Sequence, residues 1–396
     1  MHIAWLGKKS PFCGNVTYGR EVTNSLLERG YQVSFLHFAA GQDSEESPCQ
    51  YQEVSIPCLY KSQIYTIPSP RSVKVLVEAL KTLSPDIVHA SLTLSPLDFR
   101  LPEICEALGL PLVATFHPPF DHKLRNFTSG TQHLTYQLYA PCLAKYDRVI
   151  VFSKLQRDLL QKLGVPNDRI AIIPNGVEPV RYCPGVLPKS LTARESGAKR
   201  QFIYQGRIST EKNIEALLKA WKLAEMGNRC RLTVVGDGPL RPVLEAAYGP
   251  ELGIFWHGFE ASERRRIQLL QQADVFILPS LVEGLSLSLL EGMACGAACV
   301  ATDAGADGEV LENGAGIVLS TQKVSAQLQT LLPFLRDHPD VTALLGQKAR
   351  DRVLERYTLS RNITELEAIY QALSSTADCP SRSHQLSNTG PVVQIL

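Results

Sequence analysis

The sequence predicts an α/β protein of two domains built on open parallel sheets, and three observations carry that expectation. Short apolar runs alternate with helix-period segments along most of the chain. A run such as residues 275–278 is continuously apolar, as in strands buried on both faces. At 396 residues the chain has the length of two ordinary domains.

Composition narrows the class. The apolar share of 44% is that of a globular protein. A net charge of +1 gives no bulk attraction to nucleic acid or anionic membrane, so no nucleic-acid partner is expected. The ten cysteines include no CxxC pair of metal type and read as free thiols of a reducing compartment. The apolar run at residues 2–6 is too short for a signal-peptide core, and no run is long enough to span a bilayer, so a cytoplasmic location is expected.

In chain order, a strand at 3–6 leads through a loop bearing Lys8, Lys9, Gly14 and Asn15 into a helix that ends near Gly30. A strand at 33–38 follows. Gly7, Gly14 and Gly19 do not have the spacing of a dinucleotide fingerprint, so no nicotinamide cofactor is expected. Residues 41–70 read as a long connection with one or two edge strands. Helix 73–83 and strands 86–90 and 111–116 come next, and the last delivers His117 ahead of Pro118-Pro119. Strand 149–152 ends at Ser153, a helix N-cap. Strand 170–173 runs into Pro174-Asn175-Gly176, where Asn-Gly signals a tight turn. Residues 178–199 lack periodicity and read as a linker. Strand 201–205 then precedes Arg207 and Lys212. Strand 232–235 enters Gly236-Asp237-Gly238-Pro239, a strand-to-helix turn, and residues 255–259 follow. Beyond 317–319 the chain reads as helical at 325–335, 341–357 and 359–373. The polar remainder from 374 is expected to be disordered.

The stretch 273–309 carries the chemistry. A strand closes at Pro279, a loop holds Glu283 and Gly284, and a helix over 287–294 holds Glu291. A helix start offers free N–H groups and a positive dipole end, so an anion docked there would meet donors from about Gly284 through Leu285 to Ser286. Two carboxylates flanking it can accept from diols. That arrangement suits a nucleotide sugar. At 305–309 the loop is expected to turn at Gly308.

Glu283 and Glu291 on either side of seven residues, with Pro279-Ser280 before and Gly-Met-Ala-Cys-Gly after, resemble the donor signature of family 4 retaining glycosyltransferases of the GT-B fold. The resemblance extends from Met1 to about Leu373. It implies two facing Rossmann-like domains with a deep interdomain cleft: an acceptor domain at 1–177, the linker at 178–199, a nucleotide-sugar domain at 200–358, and a helix at 359–373 that crosses back to the first domain. It implies that Arg207 and Lys212 hold the donor diphosphate and stabilise its departure, and that His117 sits near the sugar's primary hydroxyl as a positioning and polarising group. Glu283 would act on the sugar and Glu291 on a ribose. Gly14 and Asn15 would offer backbone contacts, and Gly258 and Phe259 would lie where the base is seated. No Asp-x-Asp falls in the cleft segments, so neither a metal nor another cofactor is expected.

The expected function is transfer of a hexosyl group, with retention, from a nucleotide sugar of UDP type to an acceptor hydroxyl. Residues 120–148 interleave His122, Lys123, Arg125, Lys145 and Arg148 with Phe127, Leu134, Tyr136, Leu138, Tyr139 and Leu143, a composition suited to a membrane surface. The chain's general style is similar to cyanobacterial glycosyltransferases, digalactosyldiacylglycerol synthases among them. Both features point to a membrane glycolipid acceptor, such as a galactosyldiacylglycerol, and to a peripheral enzyme. The alternatives are a soluble sugar acceptor or a nucleotide-sugar epimerase on the same fold.

Overall fold

The computed structural model describes residues 1–10, 13–39, 51–62, 65–119, 127–185 and 199–377. They form two lobes, each a twisted sheet flanked by helices, as a GT-B chain requires. The first lobe holds β1 (His2–Gly7), β2 (Gln32–Ala39), β3 (Gln52–Lys61), β4 (Thr66–Pro68), β5 (Ile87–Ser91), β6 (Leu112–Thr115), β7 (Arg148–Val151) and β8 (Ile170–Ile172). Their order is β4-β3-β2-β1-β5-β6-β7-β8. The second lobe holds β9 (Arg200–Gln205), β10 (Cys230–Val235), β11 (Ile254–Gly258), β12 (Val275–Leu278), β13 (Ala298–Thr302) and β14 (Ile317–Leu319), in the order β11-β10-β9-β12-β13-β14. Every pair is parallel except β3 with β4.

The apolar runs explain this. All residues of β5, β12 and β13 are buried, because helices cover both faces. The strand order reverses beside β1 in the first sheet and beside β9 in the second. At such points the crossovers diverge to opposite faces and leave a crevice at the carboxyl ends of the strands.

The helices largely follow the periodicity. Ser153 caps Lys154–Lys162, its hydroxyl accepting from the Gln156 N–H at 3.1 Å. The last helix, Leu359–Ala377, packs on the first lobe. Its Tyr370 hydroxyl lies 2.5 Å from His89 Nδ1, and Arg29 reaches Thr364 and Glu367 at 2.9 and 2.5 Å.

Four local expectations change. Helix Leu101–Leu108 was not visible in the periodicity, because its eight residues span barely two turns. Gly308 lies within the short helix Asp307–Val310, and the backbone turns instead at Gly305, with φ +59°. In helix Phe127–Leu143, Tyr136, Tyr139 and Leu143 belong to the lobe's core, and among its described side chains Leu134 and Leu138 form an exposed apolar pair. Phe120, His122, Lys123 and Arg125 lie outside the described residues, as do the Phe127 side chain, most of the linker and the tail beyond 377. Finally, Asn175-Gly176 makes no tight turn. The chain runs on to a parallel bridge between Val177 and Thr358.

Gly176 is needed there for closeness, since a Cβ would stand 2.8 Å from Leu359 backbone atoms. Gly176→Ala is therefore expected to destabilise the protein by about 1–3 kcal/mol, as overpacking does. Denaturant unfolding followed by near-UV circular dichroism checks this; an unchanged midpoint overturns it.

Candidate active site

β9 and β12 are neighbours and parallel, so the loops that follow them leave from the same end of the sheet. The first loop carries Arg207 and closes in a single turn at Thr210–Lys212. The second carries Glu283. Leu281 N–H donates to the Glu211 carbonyl at 2.8 Å and Asn213 Nδ2 donates to the Pro279 carbonyl at 3.1 Å, which locks the two loops together. Lys212 Nζ then donates to Glu283 Oε1 at 2.5 Å, and the Ser280 hydroxyl donates to the same oxygen at 2.7 Å. The Glu283 side chain is only 8% exposed and that of Lys212 19%. A pair this enclosed needs its hydrogen bonds, because each charge has lost much of its water. Gly305 is pressed against the loop from behind: a Cβ would fall 2.1 Å from the Glu283 carbonyl oxygen.

The helix Leu287–Ala294 begins at Ser286, whose hydroxyl accepts from Leu289 N–H at 3.3 Å. The Ser286 N–H itself donates to Asp307 Oδ1 at 3.0 Å. The expected row of open donors from Gly284 to Ser286 is therefore one shorter, since a protein carboxylate already occupies the last. Asp307 is buried, and its pKa is pushed well up by burial first and by the Glu283 charge second. Glu291 lies one helical face further on. Gln205 Nε2 donates to its Oε2 at 2.7 Å. Burial pushes the Glu291 carboxyl up to about 7, against a lowering by Arg266 and by hydrogen bonds from Gln205 and Tyr182.

The first lobe contributes His117 from the end of β6. Its Nε2 shares a 2.8 Å hydrogen bond with the Ser91 hydroxyl at the end of β5, and its ring meets Tyr18 edge-on at 5.0 Å. Desolvation, then the Lys8 charge, hold His117 down at about 3, so the ring is neutral at physiological pH. The lobes touch here. A Cβ on Gly284 would be 3.3 Å from the His117 carbonyl oxygen, and Asn175 Nδ2 donates to the Leu285 carbonyl at 2.9 Å. His117 and the Glu283–Gly284 loop thus face one another across the cleft.

The remaining predicted residues are less tightly gathered. Gly14, exposed, and Asn15, partly buried, open the helix Gly14–Glu28. Arg207 pairs with Glu211 at 3.2 Å and is about two-fifths exposed. Gly258 turns with φ +86°, and Phe259 is exposed beside it. Sequence reasoning missed Asp307 and Asn175 as parts of the site. Neither stands in an apolar pattern, and each acts through a contact distant in sequence. Among the described residues no group of three or more His, Cys, Asp or Glu side chains is placed to hold a metal ion.

The comparisons bear on this geometry. The family described as Glycosyltransferase Family 4 matches residues 14–181, and that described as Glycosyl transferases group 1 matches 199–337. The two matches fall one on each lobe. The chain is a GT-B glycosyltransferase related to these families. The putative colanic acid biosynthesis glycosyltransferase WcaL of Escherichia coli is 28% identical over 59% of this chain and 59% of its own length. An Escherichia coli UDP-Gal:alpha-D-GlcNAc-diphosphoundecaprenol alpha-1,3-galactosyltransferase is 23% identical over 80% of this chain and 82% of its own. The structure of Anabaena HepE in complex with UDP-glucose superposes with a TM-score of 0.74 at 18% identity, covering 94% of this chain and all of that one. These likenesses do not single out a digalactosyldiacylglycerol synthase.

The glycosyltransferase should show the burden of Glu291 in its stability. A carboxyl raised from 4.5 to about 7 on folding favours the folded state fully only below about pH 4.5, and that contribution is lost as pH rises to about 7. Glu291→Gln keeps an acceptor for Gln205 and removes the ionisation. It is expected to be more stable than wild type by on the order of 2–3 kcal/mol at pH 8, with the difference vanishing near pH 4.5. Thermal unfolding across this range checks it; a pH-independent difference overturns it.

Proposed function

We propose that this glycosyltransferase moves a hexosyl group with retention from a UDP-sugar to the hydroxyl of a lipid-borne acceptor. The observation that carries the transfer chemistry is the enclosed Lys212–Glu283 pair, which faces His117 across the cleft. A departing diphosphate gains negative charge as the bond from the sugar's anomeric carbon to its oxygen breaks. Lys212 and Arg207 stand at the strand ends where that charge would form. Glu283 accepts from sugar hydroxyls, and Glu291 accepts from the ribose diol. The neutral His117 ring orients the sugar's primary hydroxyl. The acceptor oxygen attacks on the face from which the diphosphate leaves, and the leaving phosphate takes the acceptor's proton.

The galactosyltransferase relative supports the UDP-sugar and the lipid carrier through its own named substrates, UDP-Gal and a diphosphoundecaprenol. The HepE structure supports UDP-glucose as a ligand of this fold. The exposed pair Leu134 and Leu138, on the helix that follows the His117 segment, supports an apolar environment beside the acceptor half of the cleft. Among the described residues no helix is long and apolar enough to cross a membrane. Peripheral attachment to a cytoplasmic membrane face is part of the same proposal.

Thermal shift with a panel of nucleotide sugars tests the donor, because a bound ligand stabilises the fold by mass action. Incubation of the stabilising donor with polyprenyl-diphosphate sugars, galactosyldiacylglycerol or free sugars tests the acceptor; transfer to free sugars alone rejects the lipid. Conversion of the donor without any acceptor would mark an epimerase. Arg207→Ala and Lys212→Ala are each expected to lower kcat about 10²–10³-fold with a much smaller rise in the donor KM, since they act on developing charge. Steady-state kinetics decide; a pure KM defect contradicts the assignment.

A further inference from the structure

The linker segment carries a device that the transfer chemistry does not use. Arg181 forks between the lobes: Nη2 donates to Glu21 Oε2 at 2.6 Å, and Nη1 donates to Glu263 Oε1 at 3.1 Å. Glu21 belongs to helix Gly14–Glu28 of the first lobe, and Glu263 opens helix Glu263–Gln272 of the second. The next residue, Tyr182, is buried; its hydroxyl donates to Glu263 Oε1 at 3.2 Å and feels the charge of Glu291 nearby. Arg350 fixes the strap from below, donating to the carbonyls of Pro179, Tyr182 and Ala294. Ala294 ends the helix that bears Glu291. A small recess lies between the lobes at this point, and its walls include Thr17, Glu21, Gly176, Tyr182, Glu263 and Glu291.

We propose that Arg181 is a positioning residue for the donor, an ion-pair clamp that joins Glu21 to Glu263 and sets how closely the lobes approach over the nucleotide's ribose end. This rests on the donor assignment above. An extended arginine ties two lobes only while both carboxylates hold it. Loss of Glu21 leaves Arg181 held by Glu263 of the second lobe alone, and loss of Glu263 leaves it held by Glu21 of the first lobe alone. The pair is about two-fifths exposed on the arginine side, so salt weakens it.

UDP itself is the probe. Arg181→Ala and Glu21→Ala are each expected to raise the UDP Kd about twofold to fivefold in calorimetry at low salt, the upper range of a partly exposed ion pair. The double variant should be no worse than the weaker single one, because both remove the same link. Arg181→Lys should recover part of the loss, and 1 M salt should erase the difference from wild type. Small-angle scattering should show ligand-free Arg181→Ala more extended than wild type. Wild-type affinity in both single variants, or additive losses in the double one, overturns the clamp. If the wild-type chain binds no UDP, the donor assignment falls, and ligand-free scattering then decides the clamp alone: an unchanged profile overturns it.

Discussion

The Lys212–Glu283 ion pair is the constraint around which the second lobe is arranged. Two charges that have lost most of their water must stand in good geometry or destabilise the protein. That geometry comes from the parallel pairing of β9 and β12, which brings both loops to one end of the sheet. It is held by the Leu281 and Asn213 hydrogen bonds between the loops, by the Ser280 hydroxyl on Glu283, and by Gly305 against the Glu283 carbonyl. The pair also couples to its surroundings. One ammonium lies among two carboxylates, Glu283 and Asp307, and the buried Asp307 is the one pushed toward its neutral form. On the proposed reading, a bound diphosphate would enter a field already set by this imbalance.

Three acidic side chains of the site thus differ in environment although each is buried. Glu283 has a cation and a hydroxyl. Asp307 has a backbone N–H and a like charge nearby. Glu291 has the amide of Gln205, with the Arg266 charge offsetting its burial only in part, and its carboxyl is pushed up to about 7. A carboxyl in this state is unfavourable for the empty protein at alkaline pH and well suited to meet a diol, whose hydroxyls donate to it. On the proposed reading, stability is given up where a ribose diol needs an acceptor.

Much of this was legible in the sequence because it rests on local patterns. The continuous apolar run at Val275–Leu278 fixes a buried strand, Ser153 fixes a cap, and the spacing of Glu283 and Glu291 fixes their places in a loop and on the helix that follows. What was not legible depends on partners far away in the chain. Gly176 read as a turn because Asn-Gly usually makes one, yet the position is set by the closeness of Leu359. Tyr136 and Tyr139 read as an interfacial belt, yet their hydroxyls reach the Pro118 carbonyl and Asp98 inside the lobe. Asp307 carried no signal, since its only role visible in the fold is to accept from Ser286 twenty-one residues earlier in the chain.

The hinge shows the same limit in its strongest form. Residues 178–185 have the composition of a passive linker, and a passive linker would allow the lobes free relative motion. Instead the chain crosses between the lobes twice in close proximity: once at Val177, bridged to Thr358, and once where the last helix returns to His89 and Arg29. Asn362 reaches the Pro174 carbonyl between these crossings. A double crossing restricts motion to a bend about one line, because each strand of the connection limits the other. Arg181 and Tyr182 lie beside that line, next to Glu291. The polar residues of the linker, Arg181 and Tyr182, thus stand where hydrogen bonds join the two lobes.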